Sequence, residues 1–333
     1  MLRPLPARPL AAVITALLLT LTACSGGSED TAGPSDPGVP ASEPASASPS
    51  ESPSESPSES APEPGAPSNG QQYVALGDSY TSAPFVPTTD PDDGCLRSDG
   101  NYPHLVAAEL GYELTDVSCA GATSSSMVGV QQTANGQTNA AQFDALGPDT
   151  DLVTLGIGGN DIGLFRTLVG TCFTLASTEP DGSPCADALK GTRQDLRRQV
   201  RGIEERIAAV VNGVRDRAPD AQIVVVTYPQ LVPASGTCED LPLADGDYAY
   251  LRQVNTALSR SMEAGAELEG ADAVDVLTLS KGHSVCSDDP WVNGPRNDPD
   301  AALAFHPFAA EQQAVAEAVV ELAEDNARGA SGA

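Results

Sequence analysis

The 333-residue chain has little positive charge and few aromatic side chains. It carries 17 Lys and Arg against 46 Asp and Glu, which gives a formal net charge of −29. Only eight of the acids lie in residues 25–70 and only two of the bases precede Cys24, so the rest of the chain is also strongly acidic. Such a surface repels nucleic acid, and we expect no nucleic-acid partner. With six Phe and one Trp, the chain offers little for a broad lipid-docking face.

The spacing of cysteine, histidine and glycine argues against bound metals and dinucleotides. The sequence has no C-x-x-C pair and no His cluster, so a structural zinc site is not expected. The glycine-rich run at 156–161 (Gly-Ile-Gly-Gly-Asn-Asp) lacks the G-x-G-x-x-G spacing of a dinucleotide site. We therefore expect no metal and no other cofactor.

The N-terminus has the organisation of an export signal. Arg3 and Arg8 precede an apolar run at 10–21. This run is too short to span a membrane comfortably. The following Leu-Thr-Ala-Cys resembles a bacterial lipobox, in which Cys24 is lipidated and becomes the first residue of the mature protein. We expect residues 1–23 to be a lipoprotein signal peptide and the protein to be lipid-anchored on the extracellular face of the cell membrane. Ordinary secretion, with an incidental Cys24, is the alternative.

Residues 24–70 are predicted to form a disordered tether rich in Ser, Pro and Glu. Residues 25–70 contain no Lys, Arg, aromatic, Leu or Ile, and Glu-Ser-Pro-Ser is repeated at 51–54 and 55–58. A segment of this composition cannot bury enough apolar surface to offset its conformational entropy. The folded domain is therefore expected at 71–328.

The six remaining cysteines predict a disulfide framework, because their number is even and the chain is exported. Pairing in sequence order places each bridge within or between adjacent loops. The predicted bridges are Cys95–Cys119, Cys172–Cys185 and Cys238–Cys286.

From residue 71 onward, short apolar runs alternate with amphipathic stretches. Strands are predicted at 73–76, near 116–118, at 151–155, 223–227 and 273–277, and helices at 101–110, 186–217, 248–268 and 308–323. This alternation predicts an α/β fold with a parallel sheet covered on both faces. Ligands of such sheets bind beyond the carboxyl ends of the strands.

Ser79 stands where the first predicted strand stops, in Gly77-Asp78-Ser79. A serine at a helix N-terminus on this edge suits nucleophilic acyl transfer, because backbone N–H groups and the helix dipole favour the oxyanion that forms. Simple turn chemistry is the alternative explanation of these three residues.

Three further residues at the same edge complete a catalytic set. Gly121 offers an unhindered backbone N–H, and Asn160 offers a side-chain amide, so both suit an oxyanion hole. His306 precedes the last helix and can act as general base and then general acid. Of the other two histidines, His104 lies inside a helix, where packing or capping is expected, and His283 is the competitor for the role of base.

The segments that contain Ser79, Gly121, Asn160 and His306, taken in this order, resemble the four sequence blocks of the SGNH (GDSL) hydrolase family. The resemblance is greatest to its secreted actinobacterial esterases and lipases. The resemblance covers about residues 71–325. It implies a flavodoxin-like three-layer α/β/α fold, no metal, and ester hydrolysis through an acyl-serine. It further implies that Ser79 is the nucleophile and His306 the base. The oxyanion hole would then consist of the N–H groups of Ser79 and Gly121 and the side chain of Asn160.

The sequence departs from the family pattern at two positions. Tyr80 replaces the leucine of Gly-Asp-Ser-Leu, which only needs to pack. Leu303 occupies the position, three residues before the histidine, that usually holds an aspartate. We therefore predict a Ser–His dyad in which a main-chain carbonyl, that of Leu303, accepts the imidazole Nδ1–H. Asp298 or Asp300 are the alternatives, because the third member of a triad is fixed by geometry rather than by spacing.

The resulting hypothesis is an exported serine ester hydrolase. Its substrate would be an acylglycerol, a small ester or an acetylated glycan, and the few aromatics favour small or soluble esters. The segment 162–185 is the expected substrate-facing wall. The alternative is a non-catalytic surface lipoprotein that binds cell-wall glycan or a small ligand on a hydrolase scaffold, although such a protein has no need for all four catalytic residues.

Overall fold

Five parallel strands form the central sheet. The structure, a computed structural model, describes residues 69–89, 92 and 94–331. The strands in chain order are β1 (Gln72–Gly77), β2 (Glu113–Asp116), β3 (Gln131–Gln132), β4 (Thr138–Asn139), β5 (Thr150–Gly156), β6 (Gln222–Val226) and β7 (Asp272–Val274). The sheet has the order β2-β1-β5-β6-β7, while β3 and β4 form a separate antiparallel pair. This is the flavodoxin-like order, which reverses direction between β1 and β5.

Helices cover both faces of the sheet. They are α1 (Ser79–Ser82), α2 (Tyr102–Leu110), α3 (Leu164–Thr167), α4 (Phe173–Ala176), α5 (Pro184–Leu189), α6 (Leu196–Gln199), α7 (Ile203–Arg215), α8 (Asp247–Leu268), α9 (Val276–Leu279) and α10 (Ala309–Ser331). α2 and α10 pack together on one face, and α7 and α8 on the other. The predicted three-layer α/β/α fold is confirmed.

The two faces follow from the period-two pattern of the strands. In β1, Tyr73 and Ala75 pack toward α2 and α10, whereas Val74 and Leu76 join the core beneath α7 and α8. All four side chains are buried. Near-continuous apolar strands of this kind are typical of parallel sheets covered on both sides.

The prediction of a single helix at 186–217 is wrong. α5 ends at Leu189, Gly191 adopts a left-handed conformation with φ of +73°, and Asp195 then caps α6 by accepting a hydrogen bond from Arg197 N–H at 3.2 Å. A 3-10 turn at Val200–Gly202 separates α6 from α7. Glycine and a capping Asp are stop and start signals that the charge-rich amphipathic pattern concealed.

The strand predicted at 273–277 is shorter than expected. β7 ends at Val274, and the side chain of Asp275 accepts a hydrogen bond from Thr278 N–H at 2.9 Å to begin α9. The capping side chain therefore converts the second half of the apolar run into a helical turn.

The structure contains the three disulfides in sequence order: Cys95–Cys119, Cys172–Cys185 and Cys238–Cys286. They link loops and short helices outside the sheet. The predicted signal peptide, Cys24 and the tether up to residue 68 lie outside the described residues. Within the described ranges, no helix is long and apolar enough to cross a membrane.

Glu311 is a buried acid at the start of α10. Its side chain accepts a hydrogen bond from Gln312 Nε2 at 2.7 Å, and the same amide donates to Tyr80 O at 3.1 Å. Only 3% of Glu311 is exposed, and burial raises its pKa to about 8 despite the Gln312 bond. The folded protein therefore holds a proton here that the unfolded chain releases above about pH 4.3.

Replacing Glu311 with Gln is expected to stabilise the protein at high pH. Because the folded-state pKa of Glu311 is raised, the wild type loses free energy of unfolding as pH rises from about 4.3 to 8. Glu311→Gln avoids that loss, and its gain should reach roughly 2–4 kcal/mol at pH 9 and nearly vanish at pH 4. Urea unfolding at both pH values measures it, with exposed Glu317→Gln on the same helix as control. Equal gains at the two pH values would contradict the buried-acid interpretation.

Candidate active site

Ser79 lies at the carboxyl edge of the sheet, directly after β1. Asp78 caps α1, its carboxylate accepting Tyr80 N–H at 2.9 Å, so Ser79 becomes the first residue of that short helix. Gly77 permits the turn, because a Cβ there would lie 2.8 Å from Gly156 O. Ser79 itself is 6% exposed, at the point where the strand order reverses.

His306 is hydrogen-bonded to Ser79. His306 Nε2 lies 2.8 Å from Ser79 Oγ, and His306 Nδ1 lies 2.8 Å from Ala304 O. A carbonyl oxygen only accepts, so in the neutral ring Nδ1 carries the proton and Nε2 presents its lone pair to the serine hydroxyl. Ser79 Oγ–H thus donates to His306 Nε2, which is the arrangement that activation of a serine nucleophile requires.

The prediction that Leu303 supplies the carbonyl is wrong, since Ala304 supplies it. Leu303 O instead accepts His306 N–H at 3.0 Å and closes a four-residue turn. Phe305, the third residue of that turn, has φ of +59°, which is typical of a type II turn. The sequence gives no warning of this conformation, because Phe rarely adopts it.

The backbone that carries His306 is held from several sides. Asn293 N–H donates to His306 O at 2.9 Å, and Tyr80 Oη donates to Phe305 O at 2.6 Å. The imidazole forms a three-ring cluster with Tyr80 and Phe165, in which its centroid lies 5.3 Å from that of Tyr80 and 5.8 Å from that of Phe165, and the latter two lie 5.5 Å apart. Among the residues that the structure describes, these contacts and the bonds to Ser79 and Ala304 hold the ring, and none of them involves a carboxylate.

Asp298 and Asp300, the alternative partners, form a local turn. Asp298 pairs with Ala302 through main-chain bonds, and its side chain accepts Asp300 N–H at 3.1 Å. In the described part of the chain, the ring nitrogens of His306 bond to Ser79 and Ala304.

The other two histidines have partners of their own. His104 Nδ1 lies 2.7 Å from the capping side chain of Asn101, which agrees with the expected capping role. His283 Nδ1 lies 2.8 Å from Asp289 O, and the ring stacks on Trp291 with centroids 4.4 Å apart. The structure therefore brings His306 to Ser79, and neither of the other two histidines.

Burial lowers the pKa of His306 to about 4, although its bond to Ala304 acts in the opposite direction. The imidazole is therefore uncharged at and around neutral pH, and it can accept a proton there. Burial raises the pKa of Asp78 to about 7, and the hydrogen bond that Asp78 accepts from Tyr228 partly offsets that rise.

The pH dependence of ester hydrolysis should reflect this low histidine pKa. We expect kcat/KM to stay level from pH 8 to about pH 5.5 and to fall tenfold per unit only below about pH 4, because the base must be neutral. Steady-state rates on a neutral ester measure this, with circular dichroism to verify folding at each pH. A limb between about pH 6 and 7 would contradict a desolvated His306, unless it disappears in Asp78→Asn and so reports Asp78 instead.

Gly121 and Asn160 lie on the two loops beside Ser79. Cys119 N–H donates to Gly77 O at 3.0 Å, which brings the Gly121 loop to the end of β1. Gly121 has φ of +81°, and a Cβ there would meet only Gln131 Nε2, at 3.8 Å. The left-handed conformation favours glycine, and the space that a Cβ would occupy is open.

Asn160 follows β5, and its amide is oriented by neighbours. Asn160 Nδ2 donates to Ala122 O at 3.0 Å and lies 3.4 Å from Asp78 Oδ2. The second contact is long for a hydrogen bond, so the N–H that points toward Asp78 is the more weakly held of the two.

Asp161, to which the sequence pattern assigns no role, joins these two loops. Its carboxylate accepts hydrogen bonds from Ser124 N–H at 2.9 Å and from Ser124 Oγ, and Arg206 lies 3.4 Å away. It therefore ties the segment after Gly121 to the segment after β5. Its place beside Asn160 in the glycine-rich run is the signal that could have identified it.

An apolar pocket adjoins His306. It is lined by side chains of α3 and the π-helical turn after it, together with residues from three other loops and helices: Leu164, Phe165, Leu168, Leu231, Val232, Leu241, Leu251, Asn255, Val285 and Phe305. The space inside is about 10 Å³, which is about the minimum for one water molecule. Phe165 belongs both to this pocket and to the ring stack on His306.

No group of three His, Cys, Asp or Glu side chains within the described ranges is arranged to hold a metal ion.

Comparison with known proteins gives consistent matches. The model of the GDSL-like Lipase/Acylhydrolase family matches residues 75–314. Lipase 2 of Streptomyces coelicolor is 41% identical over 219 residues, which cover 64% of this chain and 72% of that protein.

Two solved structures share the fold at 27% sequence identity and a TM-score of 0.61. Phospholipase A1 from Streptomyces albidoflavus NA297 is matched over 74% of this chain and 95% of its own. An extracellular lipase from Streptomyces rimosus is matched over 76% and 99%. The chain therefore belongs to the GDSL-like lipase/acylhydrolase family and is a carboxylic ester hydrolase.

Proposed function

We propose that the protein hydrolyses esters through a Ser79–His306 dyad. The observation that carries this proposal is the 2.8 Å contact between Ser79 Oγ and His306 Nε2, with Nδ1 held by Ala304 O. The Ala304 carbonyl takes the orienting role that a carboxylate has in a triad. Because it is uncharged, it stabilises the positively charged imidazolium less than a carboxylate would.

In the first half of the reaction, Ser79 Oγ attacks the ester carbonyl carbon while His306 Nε2 takes the hydroxyl proton. The tetrahedral intermediate then collapses, the bond to the alcohol oxygen breaks, and His306 returns the proton to the leaving alcohol. In the second half, water attacks the acyl-serine and gives its proton to His306. The carboxylic acid leaves as Ser79 regains its proton.

The oxyanion hole would be formed by Ser79 N–H, Gly121 N–H and Asn160 Nδ2. The open surroundings of Gly121 and the weak contact of Asn160 with Asp78 support this assignment. Such donors act on charge that develops in the transition state.

The closed apolar pocket favours small esters over long acyl chains. With about 10 Å³ of space between Phe165, Leu168 and Phe305, a long chain could enter only after these side chains move. The segment 162–185 would thus supply the substrate-facing wall. Acylglycerols and acetylated glycans are the other candidate substrates, and the acidic surface disfavours anionic lipid.

The protein would act outside the cell. The charged and apolar N-terminal segment, the three disulfides and the extracellular lipase relative support export. Lipidation of Cys24 would anchor the domain that begins near residue 71 through the tether at 24–70, and secretion without an anchor is the alternative.

Hydrolysis of p-nitrophenyl acetate, butyrate and palmitate by the purified protein tests this function. We expect turnover that decreases with chain length, is abolished in Ser79→Ala, and persists in Ser82→Ala. Ser82 is the matched control, because it is a buried serine in the same short helix whose Oγ has no partner among the described residues. Inert wild-type protein on all three esters, despite native folding, would favour the binding-protein alternative.

A further inference from the structure

Tyr228 lies at the carboxyl edge of the sheet, two residues beyond β6, and is 1% exposed. Its main chain is pinned to α8, since Tyr228 O accepts a hydrogen bond from Ser259 Oγ at 3.2 Å. Its ring meets that of Tyr80 edge-on, with centroids 5.1 Å apart and planes at 80°. The phenol therefore projects from a rigid position toward the Ser79 site.

The Tyr228 hydroxyl uses both of its hydrogen-bonding functions on the catalytic loops. It donates to Asp78 Oδ2 at 2.5 Å and accepts Gly159 N–H at 2.8 Å. Burial and the neighbouring Asp78 hold the pKa of Tyr228 well above its usual range, so the phenol keeps the proton that it donates. Charge-assisted bonds of this length are among the stronger ones in proteins.

These two partners are adjacent in sequence to the groups that would perform the reaction. Asp78 precedes Ser79 and caps its helix, and Gly159 precedes Asn160. Asp78 Oδ2, which accepts from Tyr228, is also the oxygen 3.4 Å from Asn160 Nδ2. One phenol thus connects the loop of the nucleophile to the loop of the oxyanion donor.

The backbone at Gly159 packs tightly against the Tyr228 ring. A Cβ at Gly159 would lie 3.1 Å from Tyr228 Oη and 3.1 Å from its Cζ, so the backbone at 159 is seated directly on the phenol. Removing the hydroxyl would leave a buried carboxylate oxygen and a buried N–H without their partner. Both loops would relax, and a donor displaced by a fraction of an ångström serves the transition state poorly.

We propose that Tyr228 is a positioning residue of this ester hydrolase, which holds Asn160 in register with Ser79 by bridging Asp78 and Gly159. The inference rests on the proposed function, because it makes Tyr228 a support for the oxyanion hole proposed above. The Tyr228 hydroxyl would act through Asp78 and Gly159, to which it is bonded.

Tyr228→Phe tests this role, because it keeps the ring and removes only the hydroxyl. We expect kcat to fall about 10- to 100-fold with KM within threefold of the wild type. Affinity for a boronic acid, whose tetrahedral adduct on Ser79 places an oxygen in the oxyanion hole, should fall by the same factor as kcat/KM. The control is Tyr73→Phe, which removes another buried phenol bond, to Thr154 at 2.7 Å, within the opposite core layer. It should leave kcat unchanged.

A double-mutant cycle with Asn160→Ala separates positioning from general destabilisation. If Tyr228 acts through Asn160, Tyr228→Phe costs little further kcat once Asn160 is truncated. Multiplied losses, or wild-type kcat in Tyr228→Phe, would overturn the proposal while leaving the hydrolase assignment intact. Inactive wild type would instead overturn the proposed function.

A second readout needs no turnover. The side-chain amide resonances of Asn160, assigned by their absence in Asn160→Ala, should shift in Tyr228→Phe and stay in place in Tyr73→Phe. Unchanged resonances in Tyr228→Phe would contradict the positioning role, whatever the activity.

Discussion

Replacing His306 with Gln is expected to lower kcat on p-nitrophenyl butyrate about 10³- to 10⁵-fold, with little change in KM. The introduced glutamine side chain could still approach Ser79 Oγ, but an amide cannot take the hydroxyl proton. The loss should be smaller than the largest losses known for histidines of triads, because here Ala304 O orients the ring and no carboxylate stabilises the imidazolium.

His104→Gln and His283→Gln are matched controls, since the chain has three histidines. Each bonds within its own segment, to Asn101 and to Asp289 respectively, and neither variant should change kcat by more than about twofold. A large loss in His283→Gln, with His306→Gln active, would refute the assignment of the base.

Replacing Asn160 with Ala is expected to lower kcat about 10²- to 10³-fold and to leave KM within a few-fold of its original value. The side chain would donate to an oxyanion that exists only along the reaction path, so its loss affects the transition state more than bound substrate. Steady-state kinetics on a short-chain ester provide the measurement.

Asn160→Asp sharpens this test, because it keeps the shape and replaces the donor with a charged acceptor beside Asp78. It should be at least as inactive as Asn160→Ala. Exposed Asn212→Ala on α7 should behave like the wild type. If Asn160→Ala raised KM and spared kcat, the side chain would be binding ground-state substrate instead.

The sequence predicts the fold and the place of the proposed catalytic residues at one edge of the sheet because the signals for both are local. Buried strands such as 223–227 are continuous apolar runs, and Ser79, Gly121 and Asn160 each follow one of the first three predicted strands, so their meeting at one edge follows from the topology. The disulfide pairing can be predicted from the sequence for the same reason, because each bridge joins two cysteines that are consecutive in the sequence.

What the sequence could not predict depends on backbone conformation or on distant contacts. The carbonyl that orients His306 belongs to Ala304 because Phe305 takes a positive φ, which no propensity would assign to Phe. Tyr228 meets Asp78 across 150 positions in the chain, and its hydrogen bonds arise only once β6 has docked beside β5. Gly191 and Asp195 interrupt the predicted helix at 186–217 through a left-handed conformation and a helix cap, which the amphipathic pattern around them conceals.

Covalent labelling with a fluorophosphonate, followed by peptide mass mapping, tests the central claim most directly, because the reagent reports a serine activated by a neighbouring base without requiring the natural substrate. We expect a single adduct on Ser79, labelling of Ser82→Ala at the wild-type rate, and labelling of His306→Gln at least about 100-fold slower. An adduct on another residue, or undiminished labelling of Ser79→Ala, would contradict a Ser79–His306 dyad.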